Sequence, residues 1–389
     1  MDSINQPKTR KVAIWDAPTR VFHWLFALSF TIGMITEGDS RYLDIHVYAG
    51  YLFLGLLIFR VTWGFIGSHY ARFSSFSYSW KNVVTYLKGI LQDRKESYIG
   101  HNPAGSWAIF SLLLISFLIS VSGLLVFAGE EGHGPLVGMV PFEIGVLSHG
   151  VHEILAWSML VLVLIHIFGV IVESNLHNQN LLITMINGYK KTNGIVQHVK
   201  FRTSLAVSLL VVVAVFTCYS FQGYVGASDS NPYTPYSGPQ LVQSDEWNEA
   251  CGDCHMPYHP SLLPATLWIT MFEQQQNHFD EDLDFSNEYA QLLEEFAIQN
   301  SADKEQTEAA RFIASTTPEN FASLRITDTP YWKAEHNGIP ASVWKTRRVN
   351  GFSECEACHR DALKGTFQDG AMDFPKLREK IELISFAGL

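Results

Sequence analysis

The stretch His152-Glu-Ile-Leu-Ala-Trp-Ser-Met-Leu-Val-Leu-Val-Leu-Ile-His166 is an apolar run with a histidine at each end. Such a run is typical of a membrane helix, which needs about 20 predominantly apolar residues to cross the hydrocarbon core. At ~100° and ~1.5 Å per residue, the two histidines lie on nearly the same helix face and about 21 Å apart. Because ionisable residues inside membrane helices are rare and usually functional, the stretch predicts a membrane helix with one ligand near each surface.

Other apolar stretches of similar length lie in the first 222 residues of the chain. We predict five membrane spans, at about residues 21–36, 46–66, 105–128, 149–172 and 203–222. Basic residues precede the first span, but no small-residue cleavage site follows it. We therefore expect an uncleaved membrane anchor rather than a removed signal peptide.

The distribution of Lys and Arg predicts the orientation of these spans. Short cytoplasmic loops carry an excess of basic residues. The basic segments contain Lys8, Arg10, Lys11 and Arg20, then Arg72, Lys81, Lys88, Arg94 and Lys95, then Lys190, Lys191, Lys200 and Arg202, whereas the intervening loops contain only Arg41. With five spans, this pattern predicts a cytoplasmic N-terminus and a C-terminal domain on the outer side.

Two further histidines stand at the ends of predicted spans. His23 lies at the cytoplasmic start of the first span, and His46 lies at the external start of the second. By depth, His46 matches His152 and His23 matches His166. Since a pair of axial histidines can hold a haem iron, we predict two bis-histidine b haems stacked across the bilayer. His149, near the external end of the same span, competes with His152 for the external site.

The last third of the chain contains two copies of Cys-x-x-Cys-His, namely Cys251-Gly-Asp-Cys254-His255 and Cys355-Glu-Ala-Cys358-His359. This motif attaches a c-type haem. Its two thiols form thioethers with the haem, and the histidine binds the iron. A zinc or redox Cys-x-x-Cys pair with a chance histidine is the alternative, and two copies that both end in His argue against it. Since bacteria attach c haems on the periplasmic side, the motifs and the loop charges agree on an inner-membrane protein with a periplasmic C-terminal domain.

Composition divides the chain into four parts. We predict a membrane domain at 1–202, a fifth transmembrane helix at 203–222, a mobile linker rich in Gly, Ser, Pro and Tyr at 223–244, and a mainly α-helical periplasmic domain at 245–389. The net charge of −11 is concentrated in the last part, since residues 223–389 contain 26 Asp and Glu against 12 Lys and Arg. Such a surface either steers a basic partner or keeps the domain soluble, and it predicts no nucleic-acid partner.

Several segments resemble the bacterial cytochrome b561 family, which includes the b-type subunits of nickel–iron hydrogenases. The resemblance covers about residues 10–195 and rests on Trp15-Asp16-Ala17-Pro18-Thr19-Arg20-Val21-Phe22-His23-Trp24, on Phe59-Arg60-Val-Thr-Trp63-Gly64-Phe65-Ile-Gly67 and on Gly100-His101-Asn102-Pro103-Ala104-Gly105. It implies an all-α membrane bundle of four helices that holds two b haems and exchanges electrons with quinone. The fifth helix would then be a tether for the periplasmic domain.

The region from about 245 to 375 resembles the bacterial dihaem cytochrome c family, through both Cys-x-x-Cys-His motifs, Asn277-His278-Phe279 and the segment that ends at His336. The resemblance implies two bis-histidine c haems close together, with His278 and His336 as distal ligands. His259, Met256 and Met372 are weaker alternatives. The sequence does not assign either distal histidine to a particular haem.

These features together predict a conduit that carries electrons between membrane quinone and a soluble periplasmic cytochrome or other redox protein. Quinol O–H is the one substrate bond that the protein would break. One alternative is a membrane-anchor subunit of a hydrogenase or another larger oxidoreductase complex. A second alternative is a haem-based redox or gas sensor, which requires an open coordination site; the supply of histidines argues against it.

Overall fold

The computed structural model describes residues 10–38, 42–92, 96–192, 203–224 and 238–372. Residues 225–237, which form most of the predicted linker, lie outside this described part. So do the predicted topology residues Lys8, Arg41, Arg94, Lys95, Lys200 and Arg202. The chain divides into a first unit, residues 1–124 with 147–226, and a second unit, residues 125–146 with 227–389.

Each predicted span coincides with a helix. The helices of the membrane part are α1 (Ala17–Ile35), α2 (Leu43–Ile66), α3 (Trp80–Leu91), α4 (Pro103–Gly129), α5 (Phe142–Leu176), α6 (Leu181–Asn187) and α7 (Thr203–Tyr224). Among the described residues, α2, α4 and α5 are long and apolar enough to cross a membrane, and α7 contains a shorter apolar stretch, Val207–Tyr219. Helix α1 is more polar because Thr19, Arg20 and His23 lie in its first two turns.

The core of the first unit forms around α2. Phe22 of α1 packs with Leu56, Phe59 and Trp63 of α2, all of them buried. Helix α7 packs on the same cluster through Leu209, Leu210 and Val213. In contrast, only 17% of the residues in the most apolar 18-residue stretch of α4 are buried, and only 6% of those in the corresponding stretch of α5. Apolar helices that leave this much surface uncovered are suited to contact with lipid.

The start of α1 is fixed by a buried carboxylate. Asp16 is 2% exposed and accepts hydrogen bonds from the Thr19 backbone N–H (2.9 Å) and from the indole of Trp63 (3.1 Å). It therefore acts as the N-cap of α1. Strand β1 (Arg10–Ala13), which precedes this N-cap, pairs with β2 (Tyr189–Thr192) in a small antiparallel sheet that the sequence patterns did not predict. Together these contacts position the first turns of α1, which carry His23.

The second unit is mainly helical, as the sequence predicts. Its helices are α8 (Asp245–Gly252), α9 (Ala265–Glu273), α10 (Asn287–Gln299), α11 (Glu308–Thr316), α12 (Pro330–His336) and α13 (Ala341–Trp344). Side-chain oxygens of Ser244, Ser286, Thr307 and Thr329 cap four of these helices. The largest core cluster includes Trp247, Leu263, Trp268 and Leu293.

Residues 125–146, which join α4 to α5, belong to the second unit. The ring of Phe142 lies 6.2 Å from that of Phe312 in α11. Arg311 forms an ion pair with Glu143 and lies over the Phe142 ring. The joining segment is therefore packed on the helices of the C-terminal domain.

Candidate metal centres: four histidine pairs

Three pairs of histidines have nearly equal ring separations. The ring centres are 6.1 Å apart for His46 and His152, 6.3 Å for His255 and His278, and 6.2 Å for His336 and His359. A metal–imidazole bond is about 2.0 Å long and the ring centre lies about 1 Å beyond the nitrogen, so two imidazoles on opposite sides of one metal have centres about 6 Å apart. Each pair is therefore spaced to hold one iron.

His46 lies in the first turn of α2 and is oriented by α1. Its Nδ1 lies 3.1 Å from the carbonyl oxygen of Gly33 and 3.3 Å from the hydroxyl of Thr36. Because a carbonyl only accepts, Nδ1 carries the proton and donates it. The lone pair of the neutral ring is then on Nε2, as a metal ligand requires.

His152 on α5 is oriented in the same way by α4. Its Nδ1 lies 3.1 Å from the Ile119 carbonyl and 3.0 Å from the Ser122 hydroxyl. At Gly123, an added Cβ would lie 3.0 Å from Cε1 of the His152 ring. The glycine therefore lets the α4 backbone approach the ring closely. The competing candidate, His149, is exposed, and His152 is the residue whose ring faces His46.

His23 and His166 form the fourth candidate pair. Both are partly buried, and His23 lies close enough to His166 for an electrostatic interaction. Nδ1 of His23 is buried and has no hydrogen-bond partner in the described structure. The structure thus brings these two histidines into one neighbourhood. No hydrogen bond at Nδ1 orients the His23 ring in the described structure, unlike the rings of His46 and His152.

The sequence patterns missed His101 as a member of this neighbourhood. Its ring packs on Trp15 at 4.6 Å and on Phe76 at 4.4 Å. Burial, with smaller contributions from Arg60, His166 and Lys190, lowers the pKa of His101 to about 3. The ring is therefore neutral at physiological pH. In the sequence, His101 directly precedes Asn102-Pro103 at the start of α4, and this position next to a predicted span could have indicated a histidine near the haem site.

The first Cys-x-x-Cys-His motif is open to solvent. Cys254 and His255 are exposed, and Cys251 at the end of α8 is partly buried. Nδ1 of His255 lies 2.7 Å from the Met256 carbonyl, which again leaves the lone pair on Nε2. His278 follows α9, and its backbone is fixed by reciprocal hydrogen bonds with Glu281 of 2.7 and 3.2 Å.

The second motif is more enclosed. Cys355, Cys358 and His359 are all partly buried, and burial raises the pKa of the Cys355 thiol to about 12. His336 ends α12, where its Nδ1 lies 2.8 Å from the Trp332 carbonyl and its ring stacks on the Trp332 indole at 4.3 Å. The structure thus places His278 opposite His255 and His336 opposite His359, a pairing that the sequence left open.

The weaker distal candidates occupy other positions. His259 is 3% exposed and both of its ring nitrogens are used: Nε2 lies 3.0 Å from the Val242 carbonyl, and Nδ1 accepts from the Ser261 N–H at 3.1 Å. Neither nitrogen has a lone pair left for a metal. Met256 follows His255 directly, and Met372 pairs with His359 through the backbone.

The donor set fits haem. Bis-imidazole pairs suit low-spin haem iron, and two thiols beside a proximal histidine suit covalent attachment. Six of the eight predicted histidines pair at the spacing that one iron needs, and four of these rings are oriented by a carbonyl acceptor at Nδ1. A hydrogen bond from Nδ1 to a carbonyl fixes the orientation of the ring and makes Nε2 a more basic metal ligand.

Two family models match different parts of the chain. Residues 14–188 match the family model of the prokaryotic cytochrome b561, and residues 247–367 match that of the dihaem cytochrome c. A "Probable Ni/Fe-hydrogenase B-type cytochrome subunit" from Azotobacter chroococcum mcd 1 is 30% identical over 222 residues, which are 48% of this chain and 92% of the relative.

Two further similarities each cover a different part of the chain. The "Probable Ni/Fe-hydrogenase 1 B-type cytochrome subunit" of Escherichia coli (strain K12) is 26% identical over 215 residues, 46% of this chain and 89% of the relative. The solved structure "Diheme cytochrome c from Rhodobacter sphaeroides" is 28% identical and covers 33% of this chain and 100% of its own, with a TM-score of 0.30.

Proposed function

The chain belongs to the prokaryotic cytochrome b561 family and carries a dihaem cytochrome c domain, so it is a membrane electron-transfer haem protein, and we propose that it connects the quinone pool to a periplasmic electron acceptor. In this proposal the cofactors are two b haems and two c haems, and the membrane quinone or quinol is the substrate. When bound, haem supplies one-electron chemistry, which quinol oxidation in two steps requires.

The observation that carries this proposal is the placement of His152 and His166 on one helix. They are separated by four turns of α5, and each has a histidine from another helix beside it. At about 1.5 Å per residue, the two sites are about 21 Å apart along the helix. This spacing lets electrons enter at one membrane surface and leave at the other.

We assign the protein ligands as follows. His46 with His152, and His23 with His166, would hold the b haems. His255 with His278, and His359 with His336, would hold the c haems, and Cys251, Cys254, Cys355 and Cys358 would form the thioethers. The carbonyls at Gly33, Ile119, Met256 and Trp332 keep four of these rings in the tautomer that binds metal.

The proposed topology has five transmembrane helices in the bacterial inner membrane. Basic residues on the N-terminal side of α1 and around α3, including Lys11, Lys81 and Lys88, support a cytoplasmic location for those segments. The C-terminal domain would then be periplasmic, where c haems are attached. Fusing a reporter that is active only in the periplasm after residue 372 tests this topology.

A second candidate function is that of a membrane-anchor electron-transfer subunit in a larger oxidoreductase complex. The names of the relatives favour it, since they are described as hydrogenase B-type cytochrome subunits. The two candidate functions differ in the subunits that they require. The conduit transfers electrons as the isolated protein, whereas the membrane anchor needs a catalytic partner subunit.

The decisive experiment uses the purified full chain in proteoliposomes. Addition of a quinol should reduce both b and c haems, as followed at their separate visible bands, and an added periplasmic acceptor should reoxidise them. Reduction of b haems without c haems, or no reduction by quinol, would contradict the conduit. A stable co-purifying catalytic subunit would favour the anchor function.

A further inference from the structure

The exposure of the two covalent haem motifs differs within the C-terminal unit. Cys254 and His255 of the first motif are exposed, whereas Cys355, Cys358 and His359 of the second are partly buried. A soluble redox partner must approach its electron donor closely, and a haem held by the more exposed first motif would be the easier one to approach.

Acidic residues predominate in the sequence around the first motif. Residues 245–303 contain thirteen Asp and Glu and no Lys or Arg. Exposed carboxylates from α8 and from the His278 loop surround the motif: Glu246, Glu249, Asp253, Asp280, Glu281 and Asp282. The two segments are joined, because the His255 and His278 rings are 6.3 Å apart and the Tyr289 hydroxyl donates to the Glu246 carbonyl at 3.2 Å. We call these residues the acidic face.

An exposed aromatic ring, that of Phe279, lies next to His278 and directly before Asp280 of this face. Phe279 is 42% exposed, and its backbone φ of 53° is unfavourable for a residue with a side chain. Its ring meets His278 edge-on at 4.8 Å, and Arg325, the one cation in contact with it among the described residues, lies over it at 4.5 Å. Exposed aromatic residues close to charged residues are a common feature of protein interfaces.

The second motif has a different environment. Exposed residues near it in the sequence are of mixed charge: the basic Lys333, Lys345, Arg347, Arg348, Arg360 and Lys364, and the acidic Glu335, Glu354 and Glu356. The segment that joins α4 and α5 packs beside it, because His133 hydrogen-bonds Gln368 and interacts with Asp361, and Phe142 contacts Phe312. The second motif therefore lies on the side of the unit that contacts the membrane-helix connection.

From these differences we propose that the acidic face, together with Phe279, is the docking surface for a small basic redox protein of the periplasm. In this proposal the His255–His278 site is the one that exchanges electrons with the soluble partner. This inference rests on the proposed function for its biological meaning, but the surface itself can be tested by binding alone.

The test is the equilibrium binding of a small basic c-type cytochrome to the oxidised full-length protein in detergent or nanodiscs. Binding should weaken as salt is raised, because the Debye length falls from about 10 Å at 0.1 M to about 3 Å at 1 M. The double variant Glu249→Lys, Glu281→Lys should weaken binding by about tenfold or more, and Phe279→Ala should also weaken it without a change in charge.

The matched control is Glu295→Lys, Glu319→Lys. Both positions are exposed, lie outside the acidic face and give the same change in net charge. The control should bind the cytochrome with nearly the parent Kd. Equal loss in the two double variants would show a general charge effect and overturn the proposal, as would unchanged binding in the first. Because this assay involves no quinol, a failure of quinol oxidation would overturn the proposed function and leave the docking result standing.

Discussion

The imidazoles of His46 and His152 face each other with ring centres 6.1 Å apart, and each is oriented by a main-chain carbonyl of a different helix. Gly33 of α1 orients the first ring and Ile119 of α4 orients the second. Four helices therefore contribute to one site, since the rings themselves come from α2 and α5. The same use of a carbonyl recurs at His255 and His336 in the C-terminal unit.

We expect four haems per chain, two extractable b haems and two covalent c haems. The basis is the two Cys-x-x-Cys-His motifs and the four histidine pairs. A pyridine haemochrome assay of purified protein measures the b:c ratio, which should be 1:1. A ratio near 1:2 would mean that one membrane pair does not bind haem.

Replacement of His166 by Ala should remove the b haem at the predicted cytoplasmic site. Quinol-dependent reduction of the c haems should be lost, while both c haems stay attached through their thioethers. Haem content and the rate of c-band reduction are the two measurements. Retention of both b haems in this variant would refute the assignment of His166.

Replacement of His278 or His336 by Ala should leave haem attachment intact, because the thioethers do not involve these residues. One iron should become open, so the variant should gain a high-spin fraction and bind carbon monoxide when reduced, unlike the parent. His259→Ala is the control: it should cost on the order of 1–3 kcal/mol of stability through lost buried hydrogen bonds, with no carbon monoxide binding. Carbon monoxide binding by the parent protein itself would favour the sensor alternative.

Replacement of Gly123 by Ala should disturb the external b site selectively. A Cβ would lie 3.0 Å from the His152 ring, so the ring must shift or the helices must separate slightly. We expect a changed midpoint potential or a lower occupancy of the external b haem alone. Redox titration at the b bands distinguishes the two b sites. An unchanged titration would show that the ring moves freely.

Replacement of Glu131 by Gln should stabilise the C-terminal unit at neutral pH. Burial raises the pKa of Glu131 well above 4.5, and Asp369 and Glu130 raise it further. The folded state then holds the proton more tightly than the unfolded state, so the parent loses stability as the pH rises above about 4.5. At pH 7 the variant should unfold at a higher temperature than the parent, with ~1 kcal/mol of added stability raising the unfolding temperature by about 2–4 °C. Near pH 4 the variant and the parent should unfold at the same temperature. Glu319→Gln, at an exposed position, should show no such difference.

Sequence patterns predicted most of the functional architecture because its signals are strong and local. The separation of His152 and His166 follows directly from helix geometry, and the Cys-x-x-Cys-His motifs are contiguous. The pairing of His278 with His255 depends on how the loop after α9 folds back, which no short pattern encodes. The β1–β2 sheet was missed because each strand has only four residues, and His101 was missed because its burial arises from Trp15 and Phe76, distant in sequence.

The carbonyl contacts at His46 and His152 also link cofactor capture to assembly of the polypeptide. A group that binds only the assembled helices stabilises them by mass action, in proportion to the logarithm of its free concentration over its Kd. Haem at the external b site would thus stabilise the packing of α1, α2, α4 and α5 against one another. Cells starved of haem should accumulate loosely assembled apoprotein, which membrane proteases degrade. The abundance of this protein in the membrane should therefore follow haem supply even when its synthesis is constant.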